Sequence, residues 1–310
     1  MSSRSEQRIA RDGQDASYTT PDAGVAALAD GDCVLFVSAT ASAASGGVWR
    51  AQALADLLQL PLLILHVLSE RRNRLLNALD ATSAGRLLSR FVQVARISTE
   101  HYRGILGDRF ADDRLVIGMG DVVEEAAVYA TELAAAVVVV AADELNGTQV
   151  THLARIAARP VLVTHARRSA SGSVVAATDL SAEHYPVLQQ ARALATLRNA
   201  PLVTVHNVPP TAIMRGLAFL RTGRLTSKRP IASALELQRA SEVVGADAAV
   251  LLQTTDPARA VLDEARSRAA DIIVVGTHQR TGLRERAHKS IAATIVDRAR
   301  RSIIVEPIGR

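Results

Sequence analysis

The chain has 310 residues, about twice the usual size of a domain, and its 48% hydrophobic but only 3% aromatic content calls for two aliphatic cores. A net charge of +5 would suit nucleic acid, but the arginines are spread along helical stretches among Glu and Asp, and nine aromatic rings offer few stacking platforms, so nucleic-acid binding is not expected. The single cysteine, Cys33, excludes an intrachain disulfide and fits a reducing compartment, and no run approaches the roughly 20 apolar residues of a membrane span.

Residues 1–30 carry no apolar stretch of the kind export requires and are expected to form a flexible tail on a cytoplasmic protein. Cys33 then begins an apolar run, which predicts a strand near 33–39 and a buried, unreactive thiol. Ser45-Gly-Gly47 is similar to a pyrophosphate loop but lacks the Asp-Ser that completes it, so a turn is expected there. Further strands are predicted near 61–67, 114–118, 136–141 and 160–164. Gly118-Met-Gly120 is similar to a dinucleotide fingerprint, but Val123 holds the third glycine's place, and a turn is again the expectation. Asp121 is placed to cap the helix after it. Residues 165–172 read as a short linker. Beyond it, strands are predicted near 173–178, 201–206, 248–253, 271–276 and 302–306, with Asp256-Pro257 opening one helix and Ile291–Arg300 forming another. Between them, Ala212–Arg229 combines Ile213, Met214, Leu217, Phe219 and Leu220 with basic residues, as an amphipathic helix with a basic tail would.

The two halves repeat one another. Pro61-Leu-Leu-Ile-Leu-His66 matches Pro201-Leu-Val-Thr-Val-His206 at an offset of 140, Asp121 matches Asp256 at 135, and Pro160-Val-Leu-Val163 matches Ser302-Ile-Ile-Val305 at 142. Short β-branched runs without polar alternation, separated by helical periodicity, mark parallel strands covered on both faces. The expected fold is α/β: two tandem, doubly wound, five-stranded parallel-sheet domains over 31–165 and 171–310. An uncovered edge strand invites association, so the last strands, Pro160–Val163 and Ser302–Val305, are expected to pair within the chain.

Ligands of such sheets sit beyond the carboxyl ends of the strands, where strand order reverses. In the second half that places Thr178 and Asp179 after its first strand, Asn207 after its second, and the loop from Gly276 and Thr277 to Ser290 before a helix N-terminus suited to phosphate. Asp179 reads equally well as a helix cap. His66 and His206 read as satisfied core histidines, and His278 and His288 lack partners at zinc-site spacing, so no metal site is expected.

Val-Ala-Ala-Thr-Asp179-Leu-Ser, the strands ending in His66 and His206, Asp256-Pro-Ala, and Ile-Ile-Val-Val-Gly276-Thr-His-Gln-Arg-Thr-Gly resemble, in that order, the universal stress protein family. The resemblance implies a stress-response protein binding ATP or AMP, with magnesium, through an aspartate for adenine and a loop of Gly, two residues, Gly, nine residues, then Gly before Ser or Thr. Asp179, Gly276 and Ser290 fit it, while Gln279 and Lys289 stand at two of its glycines. The first half departs further. Its aspartate position falls at about Thr40, Ala141 replaces the first loop glycine, seven residues are missing (142 − 135), and only Gly147-Thr148 remains. It is expected to be structural. Two other readings stay open: an interaction module for a protein partner or homodimer with both sites lost, and a slow ATPase, for which no general base can be named.

Overall fold

The computed structural model describes residues 30–40, 44–69, 84–165, 172–180, 185–208, 229–278 and 290–308. The proposed tail up to residue 29, most of the linker, and most of the basic segment Ala212–Arg229 lie outside the described residues.

The first half runs β1 (Cys33–Ser38), α1 (Ala44–Leu58), β2 (Leu62–Ser69), α2 (Ala84–Leu106), β3 (Leu115–Gly120), α3 (Val122–Glu132), β4 (Ala135–Ala141), α4 (Gly147–Ala157) and β5 (Val161–Thr164). The second repeats it as β6 (Val174–Ala177), α5 (Tyr185–Leu197), β7 (Leu202–Asn207), α6 (Arg229–Val244), β8 (Ala248–Leu252), α7 (Pro257–Ser267), β9 (Ile272–His278), α8 (Ile291–Arg298) and β10 (Ser302–Ile308). All ten expected strands are present within two residues of their sequence-based bounds. Two expected turns are not turns: Ser45–Gly47 lies in the first turn of α1, and Gly118–Gly120 lies in β3. Helix α8 stops at Arg298 because Ala299 turns extended, at φ −69° and ψ 151°.

Capping residues set the helix starts. The Asp121 carboxylate accepts from the N–H groups of Val123 and Glu124, and that of Asp256 from Arg259, with Pro257 in the first turn where its missing N–H costs nothing. Left-handed residues before matching strands, Gln59 (φ 56°) with Asn199 (φ 48°) and Ala134 (φ 45°) with Ala269 (φ 50°), recur at the repeat offsets of 140 and 135.

The strands form a single ten-stranded sheet in the order β3-β2-β1-β4-β5-β10-β9-β6-β7-β8. Every pairing is parallel except that of β5 with β10, where Val163, Leu162 and Val161 face Ile303, Ile304 and Val305. Leu162 and Ile304 are repeat equivalents, so the seam is centred on a pseudo-twofold axis. Each last strand satisfies the other's edge, as expected, because neither half has another strand to offer there. Alternate strand residues feed two cores. Leu35, Val138, Val163, Ile273 and Ile303 face α3, α4, α7 and α8, while Val34, Phe36, Val139, Val274 and Ile304 face α1, α2, α5 and α6. Both cores run unbroken through the seam, which binds the halves as one body. Cys33 is buried in the first of them, its Sγ 3.5 Å from the Leu133 carbonyl, and burial pushes its thiol up to about 11.

Candidate functional site

In the second half, β6 lies between β9 and β7, so strand order reverses beside it. Three residues build a polar rim at this point. The Thr178 N–H extends the β6–β7 ladder to the Val205 carbonyl at 3.0 Å, and the His206 ring holds the Thr178 carbonyl through Nδ1 at 2.8 Å. Thr178 Oγ1 then accepts from the Leu180 N–H at 3.0 Å, bending the chain sharply with Leu180 at φ 64°. This turn leaves Asp179 exposed just beyond the carboxyl end of β6. The described part of helix α5 starts at Tyr185. Next along, Asn207 grips the backbone of Thr254 with both ends of its amide, Nδ2 donating to the carbonyl at 3.1 Å and Oδ1 accepting from the N–H at 3.2 Å. It thereby orders the loop leading to Asp256.

On the other side of the switch point stand Gly276 and the buried Thr277, at the end of β9. Ser290 caps α8, its Oγ accepting from the Ala293 N–H at 3.0 Å, and the start of that helix carries a partial positive charge. Thr178, Asp179, Asn207, Gly276, Thr277 and Ser290 thus gather at the carboxyl ends of neighbouring strands or the helix start that follows them. Gln279 and Lys289 fall outside the described residues.

Gly276 also has a packing reason that the sequence does not reveal. A Cβ there would lie 1.9 Å from Ile308 Cδ1 and 3.0 Å from Val187 Cγ2, so the last residue of β10 occupies the space a side chain would need. Opposite Gly276 in the ladder is Glu306. It is 8% exposed, on the same face as Ile304 and Ile308, and its Oε2 finds no hydrogen-bond donor among the described residues. Burial pushes its carboxyl up to about 8, which leaves it largely protonated near neutral pH. Sequence reasoning missed it; the one signal was a carboxylate inside the apolar alternation Ile304-Val305-Glu306-Pro307-Ile308.

The equivalent position in the first half is filled by the protein itself. Ladder register pairs Ser38 with His66, as Thr178 stands level with His206, so Ala39 rather than Thr40 is the counterpart of Asp179. Glu144, from the shortened loop after β4, reaches over this end. Its Oε1 accepts from Ser38 Oγ at 3.0 Å, from the Thr40 N–H at 3.1 Å and from Thr40 Oγ1 at 2.5 Å. Gly147, which the family resemblance would assign to a phosphate loop, gives its N–H to Asp297 Oδ1 of α8 at 2.6 Å, and a Cβ there would sit 2.0 Å from the Ala293 carbonyl oxygen. An N–H committed to a carboxylate is not offered to a phosphate. His66 is buried as expected but not satisfied: its Nδ1 has no partner among the described residues, and burial lowers its pKa, with Glu144 opposing and His101 adding to the shift.

The model of the Universal stress protein family matches residues 171–306. In fold, the chain is similar to a universal stress protein from Archaeoglobus fulgidus DSM 4304, with a TM-score of 0.61 at 12% identity over 91% of this chain and 98% of that one. It is also similar to a protein of unknown function from Pseudomonas aeruginosa PAO1, with a TM-score of 0.57 at 16% identity over 91% and 94%. At these identities the likeness concerns the fold, which extends across both halves. No curated protein matches by sequence.

Proposed function

Since residues 171–306 belong to the universal stress protein family and the first half repeats their fold, we propose that this chain acts in stress response as a one-site adenine-nucleotide-binding regulator. The observation that carries the reading is asymmetry. In the second half Thr178, Asp179, Asn207, Thr277 and Ser290 converge at the switch point, whereas Glu144 fills the matching place in the first half.

In this reading Asp179 accepts a hydrogen bond from the adenine amino group or ribose at the cleft mouth. Thr277, the start of α8 at Ser290, and the Lys289 ammonium take the phosphates of ATP or AMP, with magnesium where the triphosphate binds. Among the described residues none is named as a general base, and in this reading the expected behaviour is binding without turnover. Helix α8 provides the route for a signal. It is capped by Ser290 on the side assigned to phosphate, and Ala293 in its first turn and Asp297 in its last hold α4 of the first half at Gly147. A nucleotide drawing on the start of α8 therefore pulls on the contact that fixes the other half.

Titration calorimetry of ATP and AMP, with magnesium, into the full chain tests this. Micromolar heats that vanish in Asp179→Ala, with no ADP released over hours, are the expected result. ADP release at a steady rate would instead favour the ATPase reading. A second reading is favoured by Ile308 and Glu306, which crowd Gly276 from the side of β10: a protein-interaction module without nucleotide. No heat with either nucleotide would select it.

A further inference from the structure

We propose that the seam between the halves holds a second, separate site, for a small oligophosphate. A cavity of about 410 Å³ opens there, within the range of small-molecule pockets. It lies at the amino ends of β9 and β10, the end of the second half opposite to Thr178 and Asp179. Because β5 runs antiparallel to β10, the same place is reached by the first half, and Arg50 of α1 donates from Nη1 to Ser302 Oγ at 2.9 Å.

Its walls are unusually basic. Arg50, Arg266, Arg298, Arg300 and Arg301 line it, from three helices and the turn before β10. The carboxylate among its walls, Asp271, is already ion-paired with Arg198. Arg266 bonds Asp263 at 2.6 Å and Arg298 meets Asp256 at 3.3 Å, which compensates those two. Arg301 donates to the Ala270 carbonyl, which carries no charge, and Arg300 makes no ion pair among the described residues. Like charges gathered in one concavity raise its potential and draw anions. Guanidinium forks match phosphate oxygens two at a time, so a ligand with several phosphates fits this wall better than a single small anion does.

The fold does not impose this cluster. By the repeat offsets, the matching wall on the other side of the pseudo-twofold axis carries Gln190, Thr131, Ile156, Ala158 and Arg159 in the same five places, of which only the last is basic. Four arginines have therefore been placed on one side alone. They come from distant stretches of sequence, and only the tandem pairing brings them together.

The test is calorimetry of inorganic tripolyphosphate into the full chain at low ionic strength. The expected result is one molecule bound per chain, weakened about tenfold or more in Arg300→Ala, since a charge-assisted hydrogen bond carries about that factor. Arg300 is exposed and holds no other group in place among the described residues, so this variant should leave the fold alone. Arg239→Ala, the same charge change on α6 near the β8 edge of the sheet, should leave the affinity unaltered, as should Asp179→Ala. ATP separates the sources of phosphate: if its tail enters the seam, ATP still binds Asp179→Ala and is displaced by tripolyphosphate; if only the inorganic chain fits, that variant binds tripolyphosphate alone. Absence of tripolyphosphate binding overturns the proposal, as does equal affinity in Arg300→Ala, or loss of binding in Asp179→Ala.

Discussion

Replacing Glu306 by Gln should make the protein less sensitive to alkaline pH, and by an amount the structure sets. The glutamate is buried between Ile304 and Ile308 beside Gly276, with an oxygen that has no partner among the described residues, and its carboxyl is pushed from 4.5 up to about 8. The folded chain therefore keeps this proton across a range where the unfolded chain has lost it. Unfolding then releases a proton, so stability is greatest below 4.5, falls as pH rises, and levels off above about 8. At 1.36 kcal/mol per unit the whole span is roughly 5 kcal/mol, and the part between pH 5.5 and 8.5 is about 3 kcal/mol. Gln has nearly the same shape and never ionises. Urea unfolding of both proteins at those two pH values should show the parent losing about 3 kcal/mol more than Glu306→Gln. Equal losses in the two proteins would refute the reasoning, because they would mean the carboxyl finds solvent or a partner.

Other consequences are simpler to read. Gly147→Ala forces a methyl toward the Ala293 carbonyl, which would lie 2.0 Å away, and should lower stability by about 1–3 kcal/mol in urea; an unchanged midpoint would mean α4 and α8 do not touch as described. With its thiol at about 11, Cys33 should resist a disulfide reagent in native protein at pH 8 and react only on adding denaturant; rapid native labelling would contradict its burial. Truncation after Arg301 removes β10 and bares the edges of β5 and β9, so the product should aggregate, and a monodisperse truncated chain would show that the seam is dispensable.

Much of this fold is legible in the sequence because its strands are buried on both faces. Runs such as Ala135–Ala141 cannot alternate with polar residues, and their recurrence at offsets of 135 to 142 exposes the duplication. The edge pairing also follows, since two five-stranded halves each leave one strand bare. Glycine patterns misled where a short motif can sit on any element: Ser45–Gly47 is helical and Gly118–Gly120 is a strand. The position matching Asp179 slipped by one residue, from Ala39 to Thr40, because only the ladder fixes register. Glu144 and Asp297 act at a distance in sequence, on Thr40 and Gly147, and no local pattern announces such contacts. The same holds for the seam arginines. Read along the chain they look like dispersed surface charge, and the only concentration apparent there is Arg215–Arg229, whereas folding assembles another from α1, α7 and α8.

Counting bound nucleotide shows whether the duplicated chain keeps one working cleft or two. Equilibrium dialysis of ATP with magnesium against the full chain should saturate at one per chain at the cleft, with that count surviving Glu144→Ala and disappearing in Asp179→Ala when tripolyphosphate is present to occupy the seam. Two nucleotides per chain under that condition, or one that persists in Asp179→Ala and is lost in Glu144→Ala, would contradict the account by placing a live site in the first half.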